Sequence, residues 1–448
     1  MPHNLQALAE KALAAAKAAG AGAADVLAVA GDSLSIEVRQ GALEHAERAE
    51  GVDLGLRVLI GKRQACISIS DIRDDAIETA AARAVAMARL APEDAYCGLA
   101  DPDQLSALRA ADGLELEEPG DAPNPADLQA LACQAEAAAL AVKGVAQVQS
   151  AGADWSRHNI WLAASNGFSG GYARSSHSLA AVAISGTGTA MERDWAAESR
   201  IFKGDMPSAE DIGQRAGARA VARSGPRKPP TGAYPVLYDE RVASGLIGHL
   251  LSAINGAAIA RGASWLRDAL GEAVLPEGMD LVENPRRARS AASRPFDAEG
   301  LPTHARSWVE DGRLQGYVLD LATARKLGMD ATGNAARGTG GPPAPSTTNL
   351  ALTQGSLSRE DLLREMGTGL LITSLIGSSI NATTGDYSRG ASGFWVENGE
   401  IAGPVNECTV AGNLRPMLAS LIAGNDAQMH KSHQIPSLLV EGLTIAGA

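Results

Sequence analysis

The sequence predicts an α+β protein: an N-terminal domain that mixes an antiparallel meander sheet with flanking helices, followed by a mainly β, barrel-like C-terminal domain with few helices. Three observations carry this. Short alternating segments with glycine at their joins fill much of the first half. Asp-Gly and Asn-Gly pairs separate strand-like runs in the second. Between them, Ser224-Gly225-Pro226-Arg227-Lys228-Pro229-Pro230 denies both helix and inner strand, so the domains are expected at 1–225 and 226–448.

Taken in order, the amino-terminal segment MPHNLQALAEKALAAAKAAG is an amphipathic helix closed by Gly20 and Gly22. Glu10, Lys11 and Lys17 interrupt any apolar core that a signal peptide or membrane span would need. DVLAVAG, SLSIEVRQG and ALEHAERA are expected as three short strands, and VDLGLRVLI and QACISIS as a hairpin around Gly61-Lys62-Arg63. A helix then places Ile77, Ala81, Ala84, Val85 and Ala88 on one face, with Asp71 as its cap and Pro92 beyond its end. Residues 92–125 are acidic and proline-rich and read as a surface connector. ADLQALACQAEAAALAV resumes a helix of high intrinsic propensity. Two strands turn at Asn166-Gly167, and SAEDIGQRAGARAVARS closes the domain as a helix. Beyond the linker, a helix opens after Asp239 with Ile247, Leu250, Leu251 and Ile254 on its apolar face. Hairpins are expected at Asp311-Gly312 and Asn398-Gly399, helices at LSREDLLREM and NLRPMLASLI, and a last strand at SLLVEGLTIA.

Composition narrows the function. A chain of 448 residues with 45% hydrophobic and 20% charged residues is an ordinary globular mix. A formal charge of −13 argues against direct nucleic-acid binding through the overall field, which needs concentrated Lys and Arg. The basic run Arg286-Arg287-Ala288-Arg289 reads as a solvated loop. Cys66, Cys97, Cys133 and Cys408 lack C-x-x-C spacing and read as cytosolic thiols, and Cys408 as a buried one, so the cytoplasm is the expected location and no membrane contact is expected.

Several motifs fit chemistry only on the surface. Gly167-Phe168-Ser169-Gly170-Gly171 satisfies G-x-S-x-G, but a strand follows the serine where a nucleophile elbow needs a helix. The Gly-rich stretch from Gly333 to Pro343 lacks the G-K-[ST] and the helix start of a phosphate cradle. His430 and His433, with His249 or Cys408, offer the raw material of an unorthodox metal site, although Pro436 and polar neighbours place the pair on a loop.

The Gly256 and Gly262 pair, the Arg261-Gly262-Ala263-Ser264 turn and the flanking apolar run resemble a helix of the TldD/PmbA family (modulator of DNA gyrase, TldD/TldE metallopeptidase), and more closely its PmbA/TldE branch. EVRQG from residue 37, RVLIGKRQACISISD, SNGFSGGY and SLLVEGLTIAG extend the resemblance along nearly the whole chain. In TldD members this helix carries H-E-x-x-x-H. The corresponding positions here are Ile247, Gly248 and Ser252, and the family's third ligand, a Cys, falls at Met429, so no metal, cofactor or catalytic residue is expected.

The resemblance further implies a subunit without its own zinc, paired as a heterodimer with a TldD-like zinc-bearing chain and acting on unfolded or short peptides. Asn334, Arg337, Gly338, Thr347 and Asn349, in a mobile loop and the PSTTN segment, would contact the peptide. Any effect on gyrase would pass through proteolysis of another protein. The competing readings are an autonomous metallopeptidase with a nonstandard site and a metal-free homodimeric peptide-binding protein.

Overall fold

The computed structural model describes residues 4–447, so the first three residues of the amino-terminal segment lie outside the description. The first half contains α1 (Leu5–Ala18), β1 (Ala23–Arg39), β2 (Ala42–Ile60), β3 (Arg63–Ile69), α2 (Asp74–Leu90), α3 (Pro125–Leu140), β4 (Val145–Ala164), β5 (Ser169–Ser185), β6 (Glu192–Arg200) and α4 (Ala209–Ala222). Its strands form one antiparallel half-barrel in the order β3-β2-β1-β4-β5-β6. The apolar face of α1 and that of α2 bury against Leu54, Leu56 and Val58 of β2, whereas α3 and α4 cover Ala151, Ala153 and Ala181. The predicted stripe Ile77, Ala81, Ala84, Val85 and Ala88 is the buried face of α2.

Three readings change here. Gly31 and Gly51 do not join short strands; they face each other within one continuous β1–β2 ladder, whose turn is Gln40-Gly41. Strand breaks were expected because glycine weakens isolated strands, but the long paired register holds the backbone across them. Asp71 does not cap α2: its carboxylate accepts hydrogen bonds from the Arg73 backbone and side chain, and Arg73 occupies the cap position without a side-chain bond to the helix amides. The connection after β2 is Gly61-Lys62 alone, since Ile60 pairs with Arg63.

The second half contains β7 (Gly232–Tyr238), α5 (Glu240–Ala253), α6 (Gly256–Ala260), β8 (Leu281–Glu283), β9 (Arg306–Glu310), β10 (Arg313–Leu314) and α7 (Leu321–Leu327). There follow β11 (Ala335–Ala336), β12 (Ala344–Pro345), β13 (Leu350–Leu352), α8 (Arg359–Met366), β14 (Gly369–Ile380), β15 (Asp386–Glu397), β16 (Glu400–Asn413), α9 (Leu414–Ala419), β17 (Ile422–Ala423), β18 (His433–Gln434) and β19 (Leu438–Ala446). Strands β16-β15-β14-β7-β19 run in that order, and pairing of β16 with β19 closes a five-stranded barrel. The Asp311-Gly312 and Asn398-Gly399 turns hold both central residues at positive φ, as a tight hairpin requires. Helix α5 packs Ala243, Leu246, Ile247, Leu250 and Ala253 into the main core; Leu251 stays half-buried.

The two halves are tied by segments that composition marks as connectors. Arg227 of the proline-rich linker bridges to Val405 of β16. In the acidic stretch, Leu114 and Leu116 are buried, and Arg289 of the basic run binds Glu115 at 2.9 Å and Asp205 at 3.0 Å. That run is therefore a clamp across the halves and not a freely solvated loop.

Candidate functional site in the cleft under the 335–345 hairpin

The Gly-rich segment is a short hairpin in which β11 pairs with β12 and residues 337–343 form the tip. Its base is fixed by a buried carboxylate: Glu283 accepts from Trp308 Nε1 at 2.8 Å, Asn334 Nδ2 at 3.0 Å and Thr348 Oγ1 at 2.6 Å. Asn349 is equally engaged, accepting from Ser290 Oγ at 2.6 Å and donating to Asn284 O at 2.8 Å and Ser293 Oγ at 2.6 Å. At the tip, Arg337 reaches across to the first half, where it pairs with Asp25 of β1 and donates to Gly55 O at 2.6 Å. Thr339 lies so close to β2 that a Cβ on Gly55 would stand 2.5 Å from the Thr339 Cα. The segment expected to be mobile is thus pinned at both base and tip. Of the five expected peptide contacts, the side chains of Asn334, Arg337 and Asn349 are spent on internal bonds, Gly338 is exposed and Thr347 is half-exposed.

Beneath the hairpin lies a cavity of about 220 Å³ between the half-barrel and the second half. Leu27, Leu162, Tyr172 and Phe296 form its apolar side, and Arg294, Asp297, Arg337 and Gly338 complete it. A larger groove of about 990 Å³ lies beside the start of α1, where it borders Ala30, Asp32 and Trp161; strand alternation puts it on the face of the sheet opposite to Leu27 and Leu162 of the cavity.

The charges around the cavity are unusual. Burial pushes the Asp25 carboxyl up, but attraction to Arg57 and Arg337 outweighs it and holds the group below the usual range. Burial raises Asp297 in spite of Arg294 and three backbone amides. Glu299, buried and repelled by Asp297 and Asp320, is driven well above an ordinary carboxyl. Arg294 and Asp297, from the segment SRPFDAEG, went unnoticed in the sequence; charged residues on both sides of Phe296 in a segment of small residues are the available signal.

The positions on α5 bring no metal donors together. Ile247 is in the core, the Ser252 hydroxyl bonds the Gly248 carbonyl at 2.8 Å, and Met429 is exposed on a loop. His249 rests edge-on against Tyr387, its Nε2 has no partner, and burial with Arg389 nearby lowers its pKa, which favours neutral imidazole. His430 pairs with Glu198 at 3.2 Å on β6, and His433 lies in β18. Among the described residues no three His, Cys, Asp or Glu side chains are grouped to hold a metal ion. Cys408 is buried, and burial pushes its thiol up to about 11. Ser169 begins β5 and accepts a hydrogen bond from Trp161, an arrangement with no nucleophile elbow. No helix among the described residues is long and apolar enough to cross a membrane.

Three family models match the chain: PmbA/TldA metallopeptidase domain 1 at residues 24–88, the central domain at 118–224 and the C-terminal domain at 231–447. The chain is 37% identical to the metalloprotease PmbA of Escherichia coli O157:H7, over 92% of this chain and 90% of that protein. It is 38% identical to a metalloprotease PmbA homolog of Haemophilus influenzae, over 95% and 92%. A Bacteroides thetaiotaomicron crystal structure named as a modulator of DNA gyrase superposes with TM-score 0.90 at 29% identity, covering 99% of this chain and 98% of that one. TldE from Thermococcus kodakarensis shares the fold, with TM-score 0.84 at 20% identity over 98% and 99%.

Proposed function

Because the chain belongs to the PmbA/TldD metallopeptidase family, we propose that it is a PmbA/TldE-type subunit without a zinc site of its own. It holds peptide while a TldD-like zinc-bearing partner hydrolyses it, and the pair degrades unfolded or short peptides in the cytoplasm. The observation that carries this reading is the chemistry of α5 and the Met429 loop: an aliphatic side chain, a glycine, a serine spent on its own helix and a thioether stand where the resemblance places imidazole, carboxylate and thiolate. Without a Lewis acid and a metal-bound water, no hydrolytic step is assigned to this chain.

The cavity supports a peptide-holding role, since it joins apolar walls to a few fixed polar groups. Gly338 and Thr347 are the accessible points of the expected contact set.

Affinity purification of the tagged chain from its native cell tests the proposal. Recovery of a distinct TldD-like chain, with peptide hydrolysis appearing only when both are mixed, is the expected result. Recovery of identical chains alone would favour the homodimeric peptide-binding protein.

A further inference from the structure

The first half repeats its own plan: α1-β1-β2-β3-α2 is followed by α3-β4-β5-β6-α4, and the two units join where β1 pairs with β4. In each unit the third strand covers only the C-terminal part of the second, β3 from Leu54 of β2 onward and β6 from His177 of β5 onward. The remaining edge of β5 is covered by the connector, an irregular stretch of chain whose Arg109 O accepts from Gly171 N at 2.9 Å and whose Leu116 O accepts from Ser175 N at 2.9 Å. Leu114 and Leu116 are buried as it lies there. The matching edge of β2, from Ala42 to Asp53, has no such cover. Among the described residues no group outside β1 bonds its backbone, and every residue from Ala42 to Gly51 is exposed.

An uncovered edge presents a row of free amides and carbonyls, and at about 3.3 Å per residue this one is about 40 Å long. It is also held in place: the buried Glu136 carboxylate of α3 accepts from Gln40 N at 2.6 Å and Gly41 N at 2.8 Å, which fixes the β1–β2 turn. Its side chains are acidic, with Glu44, Glu47, Glu50 and Asp53 against Arg48 alone. Glu44 pairs with Arg39, and Arg48 divides itself between Asp32 and Glu50, so among the described residues Glu47 and Asp53 have no lysine or arginine partner. A second copy of the same edge would add like charge, whereas a strand carrying lysine or arginine would offset it. The far end of the edge runs into the site under the hairpin. Asp53 stands opposite Val29, which lines the cavity, and Arg337 and Thr339 of the hairpin tip meet Gly55 two residues on.

We propose that the open edge of β2 binds an extended peptide as an added strand, with lysine or arginine side chains beside Glu47 and Glu50. The peptide backbone takes the free amides and carbonyls between Ala42 and Asp53, as the connector takes those of β5, and the bound chain leads toward the hairpin tip at Gly338. This rests on the peptide-holding reading and adds where an unfolded segment is held and which side chains it carries.

The test is fluorescence anisotropy on the purified full chain, paired with residue-level hydrogen exchange. The probe is a short peptide of alternating lysine and threonine labelled at its amino end. One control has glutamate in place of lysine; the other is the lysine peptide with all its backbone nitrogens methylated, which keeps the side chains but cannot join a sheet edge. The lysine probe is expected to bind at least about tenfold tighter than either control and to slow amide exchange between residues 42 and 53. Glu47→Lys together with Glu50→Lys, both on the exposed edge, should weaken the probe at least about tenfold while the melting temperature holds. Equal binding of either control, or unchanged exchange at residues 42–53, overturns the edge site and leaves the peptide-holding reading standing. Exchange slowed there by a co-purified partner chain and by none of the peptides makes the edge a subunit contact and overturns the proposal equally. No binding of any peptide, by the chain alone or mixed with its partner, removes both.

Discussion

Arg337, on the hairpin tip of the second half, is buried against Asp25 of β1, 312 residues away in sequence. The same carboxylate accepts from Arg57 Nε at 2.7 Å. Asp25→Ala would leave two buried guanidinium groups without a counter-charge and should cost about 3–5 kcal/mol. Urea unfolding at pH 7 checks this. Because the folded pKa of Asp25 lies below its unfolded value of about 3.9, its contribution is complete above that pH and is lost as pH falls through the lower folded value. Wild type should therefore lose stability in acid below about pH 4, with Asp25→Ala less sensitive there.

Glu299 titrates in the opposite sense. Its folded pKa is raised by burial and by Asp297 and Asp320, so between the unfolded value of about 4.3 and the folded one the native state binds the extra proton. Stability then falls as pH rises through that interval. Glu299→Gln keeps an acceptor for the Leu321 amide, which Glu299 binds at 2.8 Å, and removes the charge. It should stabilise the protein by about 1–3 kcal/mol at pH 8 and by clearly less at pH 5, read from melting curves at the two pH values.

Gly55 and Gly51 lie four residues apart on β2 and should respond differently to alanine. At Gly55 the new Cβ would meet the Thr339 backbone at 2.5 Å, whereas at Gly51 it meets nothing within 4 Å. Gly55→Ala should destabilise by about 1–3 kcal/mol and loosen the hairpin tip, detectable as faster amide exchange at Thr339. Gly51→Ala should be neutral or stabilising by up to about 1 kcal/mol.

These pairs show where the sequence was readable. The face of α2, the buried positions of α5 and the Asp-Gly and Asn-Gly turns follow from local periodicity and turn chemistry, and the structure has them where they were expected. Strand β6 escaped because ERDWAAESR has little aliphatic alternation; Trp195 is half exposed and the strand is held by its pairing with β5. α6 and α7 escaped because each is too short for a periodic signal. The Arg337–Asp25 contact and the cavity it borders are set by tertiary closure between distant segments, which no local window contains. That Ile247, Gly248 and Ser252 stand at the family's ligand positions could be read only through the family resemblance, because they are ordinary helix residues by pattern.

The exposed part of the expected contact set gives a functional prediction. Thr347 is half-exposed beside the cavity-forming hairpin, whereas Asn349 is buried with its amide fully bonded. Thr347→Ala should weaken peptide binding by up to about tenfold with unchanged melting, the size of one hydrogen bond. Asn349→Ala should lower the melting temperature. Anisotropy and calorimetry on the two variants separate the roles.

The claim on which the rest stands is that this chain supplies no metal site. Metal analysis of the purified full chain, with a peptide-hydrolysis assay on the same sample before and after adding zinc, tests it most directly. The account predicts far less than one zinc per chain and no hydrolysis without a partner. One tightly held zinc per chain, with chelator-sensitive cleavage that disappears in His430→Ala and His433→Ala, would contradict it.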